Sequence, residues 1–140
     1  MDIRKINDRV SVSGQILPKD VETIKQAGFV SIINNRPDGE APDQPTSAEI
    51  ASAAQAAGLG YYDIPMGREG VTPDMVAATR TALEQSEGPV FAFCRSGTRS
   101  TTLWALSQAG NDTSGSIIDS AAKAGYDMSH LAAHLDKPIS

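Results

Sequence analysis

Three features of the chain predict an α/β fold of three layers, with a mainly parallel sheet of four to five strands flanked by helices. Strand-like and helical patterns alternate along the chain. The central strand-like runs are short and almost continuously apolar, as strands covered on both faces are. Loops rich in Arg, Gly and Asp directly follow these runs, and the crossover helices of a parallel sheet must pack back over its strands.

Val10-Ser11-Val12-Ser13-Gly14 alternates with period two and reads as a short half-buried strand. Leu17-Pro18-Lys19-Asp20 then opens a helix that Gly28 closes. The run 29–33 is a buried central strand emptying into the turn-rich Asn34-Asn35-Arg36-Pro37-Asp38-Gly39. Thr46-Ser47-Ala48-Glu49 matches a capping box, with Thr46 as N-cap, for an alanine-rich helix ending at Gly58. A third strand covers 61–65, and Met66-Gly67-Arg68-Glu69-Gly70-Val71 is a second glycine-punctuated loop. Thr72-Pro73-Asp74 starts a helix closing near Gly88, and 89–93 is the fourth strand. The remainder, through Asn111-Asp112-Thr113, Gly125 and Pro138, reads as two or three helices.

The 140 residues suffice for one domain and one sizeable core, so residues 1–140 are expected to form a single unit. No apolar run approaches the roughly 18 residues of a membrane-spanning helix, and Met1-Asp2-Ile3-Arg4-Lys5-Ile6 lacks a secretory pattern, so the cytoplasm is the expected compartment. A net charge of -5 argues against general nucleic-acid binding, which needs a basic surface. Arg36, Arg68, Arg95 and Arg99 nevertheless fall in loops that can meet at one sheet edge. A local cationic pocket in an acidic protein selects a small anion.

Cys94, the only cysteine, stands where the run 90–93 breaks into Cys94-Arg95-Ser96-Gly97-Thr98-Arg99-Ser100 and a helical pattern follows. Loop N–H groups, a helix N-terminus and two flanking arginines favour a thiolate there, and the thiolate is the nucleophile. In α/β sheets ligands bind outside the carboxyl ends of strands, so one pocket is expected to collect Arg36, Asp38, Arg68, Cys94 and Arg99. Gly97 permits the tight turn, while Ser96, Thr98 and Ser100 are candidate donors to the thiolate. Arg99 is the candidate clamp on the anion, and Arg95 adds charge or steers entry.

This cysteine loop resembles those of dual-specificity protein phosphatases and single-domain rhodanese sulfurtransferases, both of which wrap a loop around an anion. More closely, Val10-Ser11-Val12-Ser13-Gly14-Gln15-Ile16, Asn34-Asn35-Arg36-Pro37-Asp38-Gly39-Glu40 and Cys94-Arg95-Ser96-Gly97-Thr98-Arg99-Ser100 resemble the phosphatase-like domain of the beta-lactamase-hydrolase-like proteins. The resemblance spans nearly the whole chain. It implies a dual-specificity-phosphatase-like architecture, a bacterial cysteine enzyme, and a metallo-hydrolase-type persulfide enzyme as functional partner.

The loop departs from the phosphatase pattern in three ways. Arg99 follows Cys94 by five residues rather than six, Phe93 replaces the histidine before the cysteine, and Arg68 stands near the place of the aspartate general acid. A shorter ring suits the single outer sulfur of a persulfide better than a tetrahedral phosphate. Sulfite or a thiolate also leaves unaided, whereas an alkoxide gains typically 10²–10⁴-fold from a proton donor. The expected activity is therefore transfer of sulfane sulfur from thiosulfate or a persulfide through a Cys94 persulfide. Two alternatives stand beside it: hydrolysis of a phosphate ester through a Cys94 phosphocysteine, with Glu69 or Asp63 swinging in as acid, and a non-catalytic thiol or persulfide sensor. None requires a metal or organic cofactor. His130 and His134 are four apart on a helical stretch, but two ligands rarely make a zinc site.

Overall fold

In a computed structural model, which describes residues 1–136, five strands form one sheet in the order β1-β2-β5-β3-β4. They are β1 (Arg4–Lys5), β2 (Val10–Ser13), β3 (Ser31–Asn34), β4 (Gly60–Asp63) and β5 (Val90–Phe93). β2, β5, β3 and β4 are mutually parallel, and only β1 runs antiparallel, against β2. The four central strands are those expected, with ends shifted by one or two residues. β1 is additional to the strand order read from the sequence.

The helices are α1 (Val21–Gln26), preceded by a 3-10 turn at Pro18–Asp20, α2 (Ser47–Ala57), α3 (Pro73–Gln85), α4 (Thr98–Ser107), α5 (Ser114–Lys123) and α6 (Ala132–Leu135). The capping box is present: the Thr46 hydroxyl accepts from Glu49 N, and the Glu49 carboxylate accepts from Thr46 N. Thr72 and Thr113 cap α3 and α5 in the same way, each accepting from the amide three residues on. Pro138 lies outside the described residues.

The apolar side chains divide between the two faces of the sheet. On one, Ile32, Phe91 and Phe93 pack with Ile24 and Ile50 from α1 and α2. On the other, Val12, Ile33, Val90 and Ala92 pack with α3, α4 and α5 through Val76, Leu103 and Ile117. Period-two alternation along β5 sends Phe91 and Phe93 one way and Val90 and Ala92 the other. The central strand is therefore covered on both sides, which is why it reads as unbroken apolar sequence. β5 is inserted between β2 and β3, whose own connection runs through α1, so the loop following β5 opens at the point where strand order reverses.

Candidate active site

Parallel pairing sets the strand ends level. Ser13 is opposite Phe93, Phe93 opposite Asn34, and Asn34 opposite Asp63. The next residues, Gly14, Cys94, Asn35 and Ile64, form the rim, and backbone bonds tie them together. Cys94 N donates to Ser13 O at 3.3 Å, Asn35 N to Phe93 O at 2.8 Å, and the Asn35 side-chain amide to Ile64 O at 2.8 Å. Cys94 thus leaves the sheet at its centre.

Cys94 is fully buried yet belongs to neither apolar cluster. Its Sγ accepts a hydrogen bond from Gly97 N at 3.1 Å, so the loop folds an amide onto the sulfur. Gly97 sits at φ +89°, in the left-handed region, and a Cβ there would collide with the Tyr126 hydroxyl. That hydroxyl donates to Ser96 O at 3.0 Å and straps the loop from outside. On the inner side Gly14 approaches so closely that a Cβ would lie 2.8 Å from Arg95 O, which also accepts from Gln15 N at 3.4 Å. α4 begins at Thr98 with no side chain capping it, leaving its first amides for an anion.

Arg99 projects from the first turn of α4. Its Nη1 and Nη2 each donate to one oxygen of Glu40 at 2.8 Å, and Nη1 donates also to Met66 O at 2.8 Å. Glu40 raises the Arg99 pKa, and the nearby Cys94 adds to this. Arg36 Nε donates to the same Glu40 at 3.0 Å, and its Nη1 to Gln15 Oε1 at 3.1 Å. Hydrogen bonding to Arg99, with help from Arg36 and against the effect of burial, lowers the Glu40 carboxyl to about 2. Glu40 was not among the expected site residues. The available signal was its place four residues after Arg36, where an acid pairs with a base.

Of the residues expected to meet in one pocket, Arg36, Asp38, Arg68 and Arg99 line a cavity of about 510 Å³ together with Glu40 and Arg95, whereas Cys94, fully buried, is not on its wall. Arg36 pairs with Glu40, and Asp38 accepts from Ser47 N at 2.7 Å at the start of α2. Among the described residues Gly97 N donates to Sγ. Ser96 and Thr98 share a hydroxyl contact at 3.2 Å, and the buried Ser100 hydroxyl has no partner. Asp63 and Glu69 are absent from the cavity wall. Burial raises the Asp63 carboxyl, but its hydrogen-bond partner is Ser47, at the start of α2. His130 and His134 are exposed, no cluster of three or more His, Cys, Asp or Glu suited to a metal occurs among the described residues, and no helix there is long and apolar enough to cross a membrane.

The fold that carries this cysteine has counterparts among solved structures. The crystal structure of a candidate phosphatase from Neisseria meningitidis is 34% identical and superposes with a TM-score of 0.82, covering 97% of each chain. Pseudomonas aeruginosa TpbA, solved in complex with pTyr, matches at 14% identity and a TM-score of 0.64 over 96% of this chain and 83% of its own, which shows the fold alone. The dual-specificity-phosphatase-like architecture expected from the sequence is therefore present. These likenesses favour the phosphatase alternative over sulfur transfer. The Agrobacterium fabrum beta-lactamase hydrolase-like protein is 40% identical over 126 residues, which are 89% of this chain and 29% of that protein, so the chain spans under a third of its curated relative. The family model for the phosphatase-like domain of beta-lactamase hydrolase-like proteins matches residues 2–111, a span holding every strand and the whole cysteine loop, and the chain belongs to that family.

Proposed function

We propose that this chain hydrolyses phosphate monoesters through a phosphocysteine on Cys94, preferring esters such as aryl phosphates whose leaving groups depart without a proton. The observation that carries the reading is the Cys94 sulfur held under the Gly97 amide at the mouth of β5, with Arg99 on the adjoining turn. Membership of a phosphatase-like family and a fold shared with a protein that binds pTyr support phosphate as the anion. The preference for good leaving groups follows from the carboxylates. Glu40 is ionised throughout the neutral range and has no proton to give, and neither Asp63 nor Glu69 lines the cavity.

In the first step the Cys94 thiolate attacks phosphorus. The S–P bond forms as the bond to the aryl oxygen breaks, and the aryloxide leaves with the electron pair. Loop amides and the N-terminus of α4 receive the equatorial oxygens, and the edge of Arg99 not engaged by Glu40 donates to two of them. Water then attacks phosphorus, its proton passes to solvent, the S–P bond breaks and the thiolate is restored.

A second reading, sulfane-sulfur transfer through a Cys94 persulfide, is favoured by one observation: Arg99 closes the loop five residues after Cys94, a ring suited to a single sulfur atom. On that reading a metallo-hydrolase-type persulfide enzyme is the functional partner. Intact mass after brief incubation separates the readings, since an aryl phosphate adds about 80 Da and thiosulfate about 32 Da to the same cysteine. Cys94→Ser should abolish either adduct and turnover. Stoichiometric modification without multiple turnover would instead mark a sensor. Release of phosphate from an aryl phosphate by the wild type with no thiocyanate from thiosulfate and cyanide supports the proposal, and the reverse pattern overturns it.

A further inference from the structure

We infer that Arg68 and Arg95 form a second anion subsite beside the Cys94 loop, so that the substrate is a polyanion carrying a further phosphate or carboxylate next to the group attacked. The inference deepens the proposed function and requires of it only that an anion occupies the loop. Four guanidinium groups and two carboxylates face the cavity. Arg36 and Arg99 share Glu40, and the Asp38 carboxylate receives the Ser47 amide. The surplus positive charge therefore falls on Arg68 and Arg95, whose side chains make no hydrogen bond or ion pair among the described residues. In a chain of net charge -5, two unneutralised cations on one concave wall are a local field that an anion relieves.

Both arginines stand on backbone that is already fixed. Arg95 belongs to the ring itself, its carbonyl pressed against Gly14 and accepting from Gln15 N. The loop bearing Arg68 is held where Met66 O accepts from Arg99 and where Gly70 N donates to Gly67 O. The two side chains are exposed and line the cavity, one from the cysteine loop and one from the loop after β4. At about 510 Å³, the space would hold roughly seventeen waters at about 30 Å³ each, far more than a single phosphate displaces. Sγ is not on the wall of that space, so an anion held by the Cys94 loop leaves Arg68 and Arg95 to a second group.

Calorimetric titration of the full chain with inorganic phosphate and with pyrophosphate, at one fixed ionic strength, tests this. Pyrophosphate should bind at least about tenfold more tightly, since charge-assisted contacts to a second group add to the first. Arg68→Ala combined with Arg95→Ala should bring the ratio of the two affinities close to one, and lysine at both positions should restore part of it. Both side chains are exposed and unpaired, so the variants should melt like the wild type. Equal affinities in the wild type, a preference surviving in the double alanine variant, or no binding of either probe would each overturn the subsite. The phosphatase reading fails separately, in the mass experiment, which these titrations do not touch.

Discussion

Gly97 meets two demands that no other residue meets together. Its φ of +89° is one that side chains rarely adopt, and the space where a Cβ would stand is taken by the Tyr126 hydroxyl. Gly97→Ala must distort the turn or expel Tyr126, at a cost of about 1–3 kcal/mol from backbone strain and overpacking. Because the Gly97 amide is the group on the sulfur, the distortion falls on the reacting atom. Urea unfolding should show the loss in stability, and turnover should fall more than stability accounts for. An alanine variant that hydrolyses aryl phosphate at the wild-type rate would mean that the amide contributes nothing. Tyr126→Phe is the milder probe: it removes one hydrogen bond to Ser96 O, worth about 1 kcal/mol, and leaves the glycine untouched. Its rate should lie between those of wild type and Gly97→Ala.

The loop between β3 and α2 contributes to the site through one carboxylate. Glu40 holds the Arg99 fork on one edge and is itself held by Arg36, which Gln15 holds in turn. Glu40→Gln loosens this chain and should lower kcat for an aryl phosphate roughly ten- to hundredfold through misplacement of the guanidinium. Its stability effect has a definite pH sign. The carboxyl titrates at about 2 when folded, against an ordinary 4.5, so its contribution is complete above about pH 4.5 and fades as pH falls towards 2. Wild type should therefore exceed Glu40→Gln by about 1 kcal/mol at pH 7, a modest value because the pair is partly exposed, and the gap should close in acid unfolding series between pH 4.5 and 2. A gap independent of pH would assign Glu40 a packing role instead. At this scale the sequence was only partly legible. The apolar run ending at Phe93 and the breakers at Gly14, Asn34 and Gly97 revealed the strand ends because burial and turn chemistry are local. Arg4–Lys5 was not legible as a strand, since two exposed charged residues carry no period and depend on β2 for pairing. The Glu40–Arg99 pair joins residues far apart in sequence and became visible only when β3 and β5 were placed side by side.

At the scale of the whole molecule, β3 and β5 each supply side chains to both apolar layers, and the cysteine loop grows from the end of β5. Phe91 is fully buried in the layer under α1 and α2 and meets Phe29 edge to face, with ring centroids 5.4 Å apart at 76°. Phe91→Ala removes a large side chain from a site walled by Ile24, Ile32 and Ile50, none of which can collapse far into the gap. The expected cost is about 3–5 kcal/mol, a large fraction of the roughly 5–15 kcal/mol that holds such a chain folded. For a protein of this size that corresponds to a fall in Tm of about 10–15 °C. The site lies at the strand end and is fixed by backbone bonds to Ser13, Asn35 and Gly97, not by Phe91 itself. Well below the new Tm, kcat/KM for an aryl phosphate should therefore stay within about twofold of wild type, because packing defects that leave hydrogen-bonded geometry intact act on the folded fraction. Thermal melts paired with assays at 15 °C check both halves. A small fall in Tm would show that the two layers do not melt together. A large loss of activity at 15 °C with the fold intact would show that the layer beneath β5 sets the position of Cys94.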